Sequence, residues 1–119
     1  MNTYQKLPTP IIKESVFQLL GVLDAQPKDL HQHCQIIFDS HKDDIDLCYV
    51  CMFHVGEFKT NFILRYYPRF PENRMELLCR RTTKINELRY NLNVFCQDFG
   101  LNEESFSWIH PLACPKTHI

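Results

Sequence analysis

The chain has 119 residues, of which 45% are hydrophobic and 13% aromatic, and its formal net charge is −1. This length suits one domain with a single core, and the apolar content excludes an intrinsically disordered chain. No apolar run approaches the roughly 20 residues of a membrane-spanning helix, and the near-neutral charge argues against a dedicated nucleic-acid binder, whose affinity depends on an excess of basic residues.

The first element that we expect is a helix after a flexible leader, residues 1–8. Thr9 is suited to cap this helix, and Pro10 is suited to its first position, where a missing N–H costs nothing. One face then carries apolar residues at helical spacing: Ile12, Val16, Leu19, Leu20 and Leu23. This spacing predicts an amphipathic N-terminal helix.

Residues 29–39 fit two structures. Leu30, Cys34, Ile37 and Phe38 have the spacing of a short second helix, whereas Gln35–Phe38 fits a strand as well. Both alternatives stay open. The acidic stretch HKDDID that follows, residues 41–46, is expected to be a solvated connector.

Residues 46–55 and 58–67 predict a β-hairpin with Gly56-Glu57 as its two-residue loop, because glycine at the first loop position suits a type II′ turn. The numbers of opposing residues then add up to 113, so that Cys51 faces Phe62. In this register one face is apolar and the other is mixed, as half-buried strands require.

A third strand and a long helix complete the predicted fold. The helix has an apolar stripe from Ile85 to Phe99 with Gly100 at its C-terminus, and the tail is expected to pack through Phe106, Trp108 and Ile109. The sequence thus predicts a single α+β domain over residues 1–119. Its three-stranded antiparallel sheet (about 46–55, 58–67 and 74–82) packs against the N-terminal helix and the long C-terminal helix (about 84–99).

Cys48, Cys51 and His54 have the C-x-x-C-x-x-H spacing of some metal and redox sites. On a strand, however, Cys48 and Cys51 point to opposite faces and lie about 10 Å apart, so they cannot share one ion. Zinc-binding pairs of this spacing lie on tight turns and usually occur with a second pair. We therefore expect a buried strand and no metal.

The other cysteines and histidines form no recognisable catalytic set. They fall into two groups: His31, His33, Cys34 and His41, and His110, Cys114 and His118. No glycine-rich elbow, phosphate loop or carboxylate pair accompanies them, so we expect no catalytic residue, no cofactor and no enzymatic activity. The six cysteines lie in apolar stretches without a secretory signal, which predicts a cytoplasmic protein, in the bacterial cytosol or in a host cytosol if it is delivered as an effector.

The stretch YYPRFP (66–71) has the composition of a protein-binding surface, in which tyrosine, phenylalanine and arginine are enriched. An ordinary packed loop is the alternative. Basic residues are also unevenly distributed: residues 1–57 carry four against eight acidic ones, and residues 58–119 carry nine against six. Six basic side chains are expected around one end of the sheet: Arg65, Arg69, Arg74, Arg80, Arg81 and Lys84. The predicted partner-binding residues are Tyr66, Tyr67, Arg69, Phe70, Arg80 and Arg81.

The strand over residues 46–55 is apolar on both faces, which three strands and two helices cover with difficulty. Cys48, Val50, Met52 and Ile63 therefore need cover from the tail, the second helix or another subunit. If another subunit provides this cover, the protein is a homodimer, and we keep a homodimer as a prediction.

The size, the Cys and His content and the stretch from YYPRFP to CRRTTKINELRYNL resemble small Legionella inhibitors of ubiquitin-directed deamidase/transglutaminase effectors. The resemblance implies a non-catalytic protein that binds an effector enzyme and keeps its catalytic cleft from ubiquitin or its conjugating enzyme. The residues themselves favour binding to another protein, without a membrane and with nucleic acid unlikely. Two alternatives stay open: a dimeric secretion-chaperone-like protein and a small nucleic-acid-binding module.

Overall fold

The computed structural model describes residues 5–8, 12–13, 15–42, 46–55, 60–69 and 74–113. Their elements, in chain order, are β1 (Gln5–Leu7), β2 (Phe17–Leu23), α1 (Pro27–Cys34), β3 (Asp39–Lys42), β4 (Leu47–Val55), β5 (Thr60–Tyr66), β6 (Met75–Arg80), α2 (Ile85–Phe99), a 3₁₀ turn (Glu103–Ser105) and β7 (Phe106–Ile109). Neither described α-helix combines the length and the apolar character that crossing a membrane would take.

The seven strands form one antiparallel sheet in the order β1-β4-β5-β6-β2-β7, with β3 also paired to the outer edge of β4. The predicted three-stranded sheet is therefore wrong: its strands are β4, β5 and β6, which lie inside a wider sheet. Three of the missed strands have only three or four residues, too few to show a period. One of them, β1, lies in the segment expected to be a flexible leader.

The predicted N-terminal helix is also wrong, because its second half is strand β2. This strand pairs with β6 on one side and β7 on the other. Leu20 and Leu23 pack into one apolar cluster and Phe17 into another, so the strand is apolar on both faces and satisfies a helical pattern as well. Thr9 and Pro10, the expected start of the helix, lie outside the described residues.

Strands β4 and β5 pair as a hairpin in a different register from the predicted one. Tyr49 faces Tyr66 and Phe53 faces Phe62, so the numbers of opposing residues add up to 115. Because the two registers differ by two residues, every side chain keeps its predicted face. The observed register places the rings of Phe53 and Phe62 at a centroid distance of 5.7 Å. The loop expected at Gly56-Glu57 lies outside the described residues.

Helix α1 resolves the ambiguity of residues 29–39. The helix ends at Cys34, Gln35 adopts a left-handed φ of 59°, and irregular backbone leads to β3. The strand alternative for 35–38 is therefore wrong. Leu30 and Cys34 are buried as the helical pattern predicted, but Ile37 is 56% exposed. The first two residues of the expected acidic connector belong to β3, and residues 43–45 lie outside the described chain.

Helix α2 matches the predicted long helix. Gly100 ends it with a φ of 66° and donates its N–H to the carbonyl oxygen of Cys96. Ile85 is 43% exposed, so the buried stripe begins one turn later than expected. The buried residues of the stripe are Leu88, Leu92, Phe95 and Phe99. They share one core cluster with Leu30 and Cys34 of α1, so both helices cover the same face of the sheet.

Most of the opposite face of the sheet is covered within the single chain. Cys48, Val50 and Ile63 are fully buried, whereas Met52 is only partly buried. Part of this cover comes from Ile12, which packs against a second apolar cluster formed by Phe17, Ile63 and Leu78. The three fully buried residues therefore need no second subunit to cover them, and a homodimer stays a prediction with less support.

Candidate functional site

The structure separates the predicted partner-binding residues by their burial. Tyr66 is only 8% exposed and belongs to the core cluster. Tyr67 is half-buried, with its ring centroid 5.4 Å from the guanidinium carbon of Arg65. The side chain of Arg69 is 78% exposed, and its Nη1 lies 3.2 Å from Oδ2 of Asp46. Phe70 lies outside the described residues. Among the described partner-binding candidates of this stretch, Arg69 is therefore the exposed one.

Arg80 and Arg81 lie at the other end of the sheet. Five residues of extended strand β6, about 16 Å at 3.3 Å per residue, separate Arg80 from the end near Arg69. Nη2 of Arg81 donates to the carbonyl oxygen of Phe17 at 3.5 Å. The six basic side chains are therefore split into two groups, and the prediction that they surround one end of the sheet is wrong. Arg65, Arg69 and Arg74 lie towards one end, and Arg80, Arg81 and Lys84 lie at the other.

An exposed apolar surface near Arg69 was not predicted. It consists of Ile37, Leu47 and Tyr49, which are 56%, 41% and 36% exposed, and we call it the Tyr49 patch. Leu47 and Tyr49 are two residues apart on β4 and therefore share a face. Extending the β4–β5 register by two residues places Leu47 beside Pro68, which precedes Arg69. The patch and Arg69 thus belong to one end of the sheet.

A broad cavity of about 350 Å³ joins the two parts of the Tyr49 patch. Ile37 and Tyr49 both line this cavity, and its remaining lining residues are Pro27, Lys28, His31, Ile36 and Phe38. One ring nitrogen of His31, Nδ1, lies 3.1 Å from the carbonyl oxygen of Ile36, which holds the start of the irregular segment against α1. The cavity is therefore formed by helix α1, by the segment that follows it and by strand β4.

The apolar alternation of β4 includes two residues of this patch, but the same alternation is also typical of a buried strand. Leu47 and Tyr49 continue the apolar alternation of β4, which predicts burial. Further along the same face Phe53 is fully buried, with its ring 6.3 Å and 5.5 Å from those of Phe95 and Phe99 in α2. Strand β4 extends beyond the cover that α2 provides. Alternation alone cannot show where a strand passes the edge of its covering helix.

The charged groups around the Tyr49 patch differ in their pairing. Asp46 is paired with Arg69, and Oδ1 of Asp39 lies 2.8 Å from Nζ of Lys6. Lys28 lines the cavity and Lys42 faces Leu47 across strands β3 and β4. Among the described residues neither Lys28 nor Lys42 forms an ion pair. The described surface at the patch therefore offers two lysines to an approaching carboxylate.

The C-x-x-C-x-x-H stretch lies in β4, as expected. Cys48 opposes His41 and Cys51 opposes Leu64, and the odd spacing places the two thiols on opposite faces of the sheet. In the described parts of the chain, no three His, Cys, Asp or Glu side chains are grouped closely enough to hold a metal ion. The expectation of no metal stays a prediction.

Burial makes the thiols poor nucleophiles. It raises the pKa of Cys51, Cys79 and Cys96 from 9.0 to about 11 in each case. Burial also raises the pKa of Cys34, whose Sγ lies 3.7 Å from the carbonyl oxygen of Phe99. A protonated thiol reacts slowly, because the thiolate is the nucleophilic form. His31 and His33 lie on α1 and are exposed, whereas this thiol is buried. Cys114 and His118 lie outside the described residues.

A second cleft, of about 620 Å³, lies between α2 and the residues that follow it, 101–104 and Ala113. Its lining mixes Arg89 with Glu103 and Glu104, above a floor that includes Leu92 and Cys96. No described buried side-chain nitrogen or oxygen lacks a hydrogen-bond partner, so none is aimed at a missing ligand there.

Comparison with known proteins adds no family to this picture. No protein-family model matches the chain, and no curated protein or solved structure is significantly similar to it. The candidate site is therefore defined by the geometry of its own residues.

Proposed function

We propose that this protein is a non-catalytic inhibitor that binds a partner enzyme through the Tyr49 patch and Arg69. The observation that carries the proposal is the exposure of three large apolar side chains beside an arginine on one surface. Covering apolar area contributes roughly 25 cal/mol per Å², and tyrosine and arginine are frequent hot-spot residues. A partner large enough to cover the whole surface would therefore gain the most binding free energy from it.

A protein partner suits this surface better than a small molecule. The cavity under Tyr49 is broad, and Leu47 and Arg69 lie beyond its lining. A compact ligand that filled the cavity would leave those two side chains in solvent. The enzymatic nature of the partner, and the inhibition, come from the resemblance to effector inhibitors. The five described cysteines are thiols and not disulfides, which suits a meeting place in a reducing cytoplasm.

A nucleic-acid-binding module has less support, because the arginines that would contact phosphates lie at two ends of the sheet. Phosphate contacts need several cations along one surface. Arg69 is in addition paired with Asp46, which reduces the positive potential at the Tyr49 patch. We therefore retain the protein-binding function as the conclusion.

The experiment compares two tyrosine variants. The immobilised protein is used to capture partners from cell extract, and a captured enzyme is purified and assayed with increasing amounts of wild type, Tyr49→Ala or Tyr90→Ala. Tyr90 is the matched control, since it is 43% exposed on helix α2. We expect Tyr49→Ala to weaken inhibition at least tenfold, about 1.4 kcal/mol or more, and Tyr90→Ala to leave it unchanged.

The free energy of unfolding of both variants in urea should lie within about 0.5 kcal/mol of the wild-type value, since each truncates an exposed side chain. Arg69→Ala should mainly slow association and reduce its salt dependence, because a rim charge acts on encounter more than on lifetime. Undiminished inhibition by Tyr49→Ala would place the interface elsewhere. Capture of partners whose activity the protein leaves unaffected would contradict the inhibitor function.

A further inference from the structure

We infer that the partner contributes an extended segment in which an acidic and an apolar residue stand two positions apart, and that this segment adds to the sheet as a strand beside β3. This inference rests on the proposed function and specifies how the partner uses the same surface. Three separate features support it: the pairing of β3, the position of the cavity, and two neighbouring lysines that form no ion pair among the described residues.

Strand β3 is an edge strand with one neighbour. It pairs with β4 through all four of its residues, and no other described strand pairs with it. An edge strand directs part of its backbone N–H and C=O groups outward, where another strand satisfies them. Strand addition uses these main-chain hydrogen bonds for affinity and adjoining side-chain pockets for specificity. The occupant that an edge of this kind fits is therefore an extended peptide.

The cavity lies on a face that an added strand would reach. Ser40 of β3 opposes Tyr49 of β4, so both side chains are on the face of the sheet that carries the Tyr49 patch. In an added strand every second side chain would lie on that face, next to the small Ser40. A large aliphatic or aromatic side chain there would enter the cavity and cover Ile37 and Tyr49. The partner residue at this position is accordingly apolar.

The lysines specify the charge of the added strand. Lys42 lies two residues from Ser40 and therefore on the same face, while Lys28 lies on the cavity wall. Neither has an ion pair among the described residues, whereas Asp39 and Asp46 are both paired. A carboxylate two residues from the apolar residue of the partner would lie on the same face and meet these lysines, and a basic side chain there would be repelled. The partner segment is thus acidic.

The first test uses two labelled twelve-residue peptides, one repeating Leu-Thr-Glu-Thr and the other repeating Leu-Thr-Lys-Thr, so that the leucines and the charged residues share one face of the strand. Both are titrated against the full chain by fluorescence anisotropy. We expect saturable binding of the Glu peptide at least tenfold tighter than that of the Lys peptide. Lys42→Glu should weaken the Glu peptide at least tenfold. Lys13→Glu is the control, because this exposed lysine lies near the opposite end of the sheet, and it should leave binding unchanged. Equal binding of the two peptides would overturn the inference.

The second test asks whether binding occurs through the backbone. Two further copies of the Glu peptide carry N-methyl groups on alternate residues, offset from each other by one position. A strand beside β3 presents only one set of its N–H groups to the edge, so one methylated peptide should lose binding at least tenfold and the other should keep it. Equal effects of the two methylation patterns would contradict strand addition.

Hydrogen exchange locates the added strand. We expect the amides of residues 39–42 to exchange at least tenfold more slowly with the Glu peptide bound, and those of the other described edge strands, β1 and β7, to be unchanged. Protection at β7 instead would overturn the assignment to β3. If the peptide tests fail while Tyr49→Ala still weakens inhibition, strand addition is wrong and the proposed function stands. If the peptides behave as expected and Tyr49→Ala inhibits normally, the proposed function is wrong.

Discussion

At the scale of single residues, a group of phenylalanine rings between the sheet and α2 contributes strongly to the stability of the protein. Phe62 is fully buried, and its ring centroid lies 5.7 Å from those of both Phe53 and Phe95. Offset or tilted aromatic pairs at such distances contribute about 0.5–1.5 kcal/mol beyond the burial of their area. Removal of this ring would leave a cavity whose walls belong to two different elements and cannot close together.

We expect Phe62→Ala to lower the free energy of unfolding by about 3–5 kcal/mol, because it combines lost burial with a residual cavity. Urea unfolding followed by far-UV circular dichroism measures this change. Tyr90→Ala is the matched aromatic control, and it should change the free energy by no more than about 0.5 kcal/mol. An unaltered midpoint in Phe62→Ala would show that the ring is not packed between β5 and α2.

At the scale of elements, two glycines have different roles. A Cβ at Gly21 of β2 would lie 2.8 Å from a ring carbon of Phe106 and 3.2 Å from the carbonyl oxygen of Trp108, both in β7. Gly100 has open space around it but a φ of +66°, which side chains disfavour. Gly21 thus allows β7 to approach β2, and Gly100 ends α2.

We expect Gly21→Ala to destabilise the protein by about 1–3 kcal/mol, as overpacking does, and to weaken the pairing of β7. Adding Phe106→Leu to this variant should recover part of the loss, because it removes the ring carbons that the new Cβ meets. Gly100→Ala should cost about 1 kcal/mol for its backbone alone, and Gly100→Asn less, since Asn tolerates the left-handed region. Urea midpoints test all four variants. A neutral Gly21→Ala would mean that β7 does not lie against β2.

At the scale of the whole molecule, burial of the thiols links stability to pH. Cys51 and Cys79 have a pKa of about 11, raised from 9.0 mainly by burial. Below pH 9 these thiols are protonated in the folded and the unfolded chain, and their contribution to stability is fully present. Between pH 9 and 11 the unfolded chain releases protons that the folded chain keeps, so the contribution is lost as the pH rises.

We therefore expect the urea midpoint to fall between about pH 8 and about pH 10.5. Cys51→Ala/Cys79→Ala should show a smaller fall over the same interval, although it is less stable at pH 8. The comparison of the two slopes separates the thiols from tyrosines and lysines, which titrate in both proteins. Equal slopes would show that these two thiols are not buried in the folded state.

The predictions that succeeded from sequence depend on local periodicity. The stripe of α2 and the alternation of β4 and β5 were recognisable because each element is long enough to repeat its pattern several times. The faces of the hairpin survived an incorrect register, since an error of two residues leaves every side chain on its side. The placement of Cys48 and Cys51 on opposite faces followed from the same alternation.

The tertiary structure alone decided the identity of β2 and the candidate site. A strand flanked by β6 and β7 and apolar on both faces has the same composition as an amphipathic helix, so only its neighbours distinguish the two. The grouping of Ile37, Leu47 and Tyr49 depends on where α1 and α2 end over the sheet. The separation of Arg69 from Arg80 depends on the direction of β6. Sequence determines which residues can share an element; the relative position of elements, set by long-range packing, determines which of them meet at a surface.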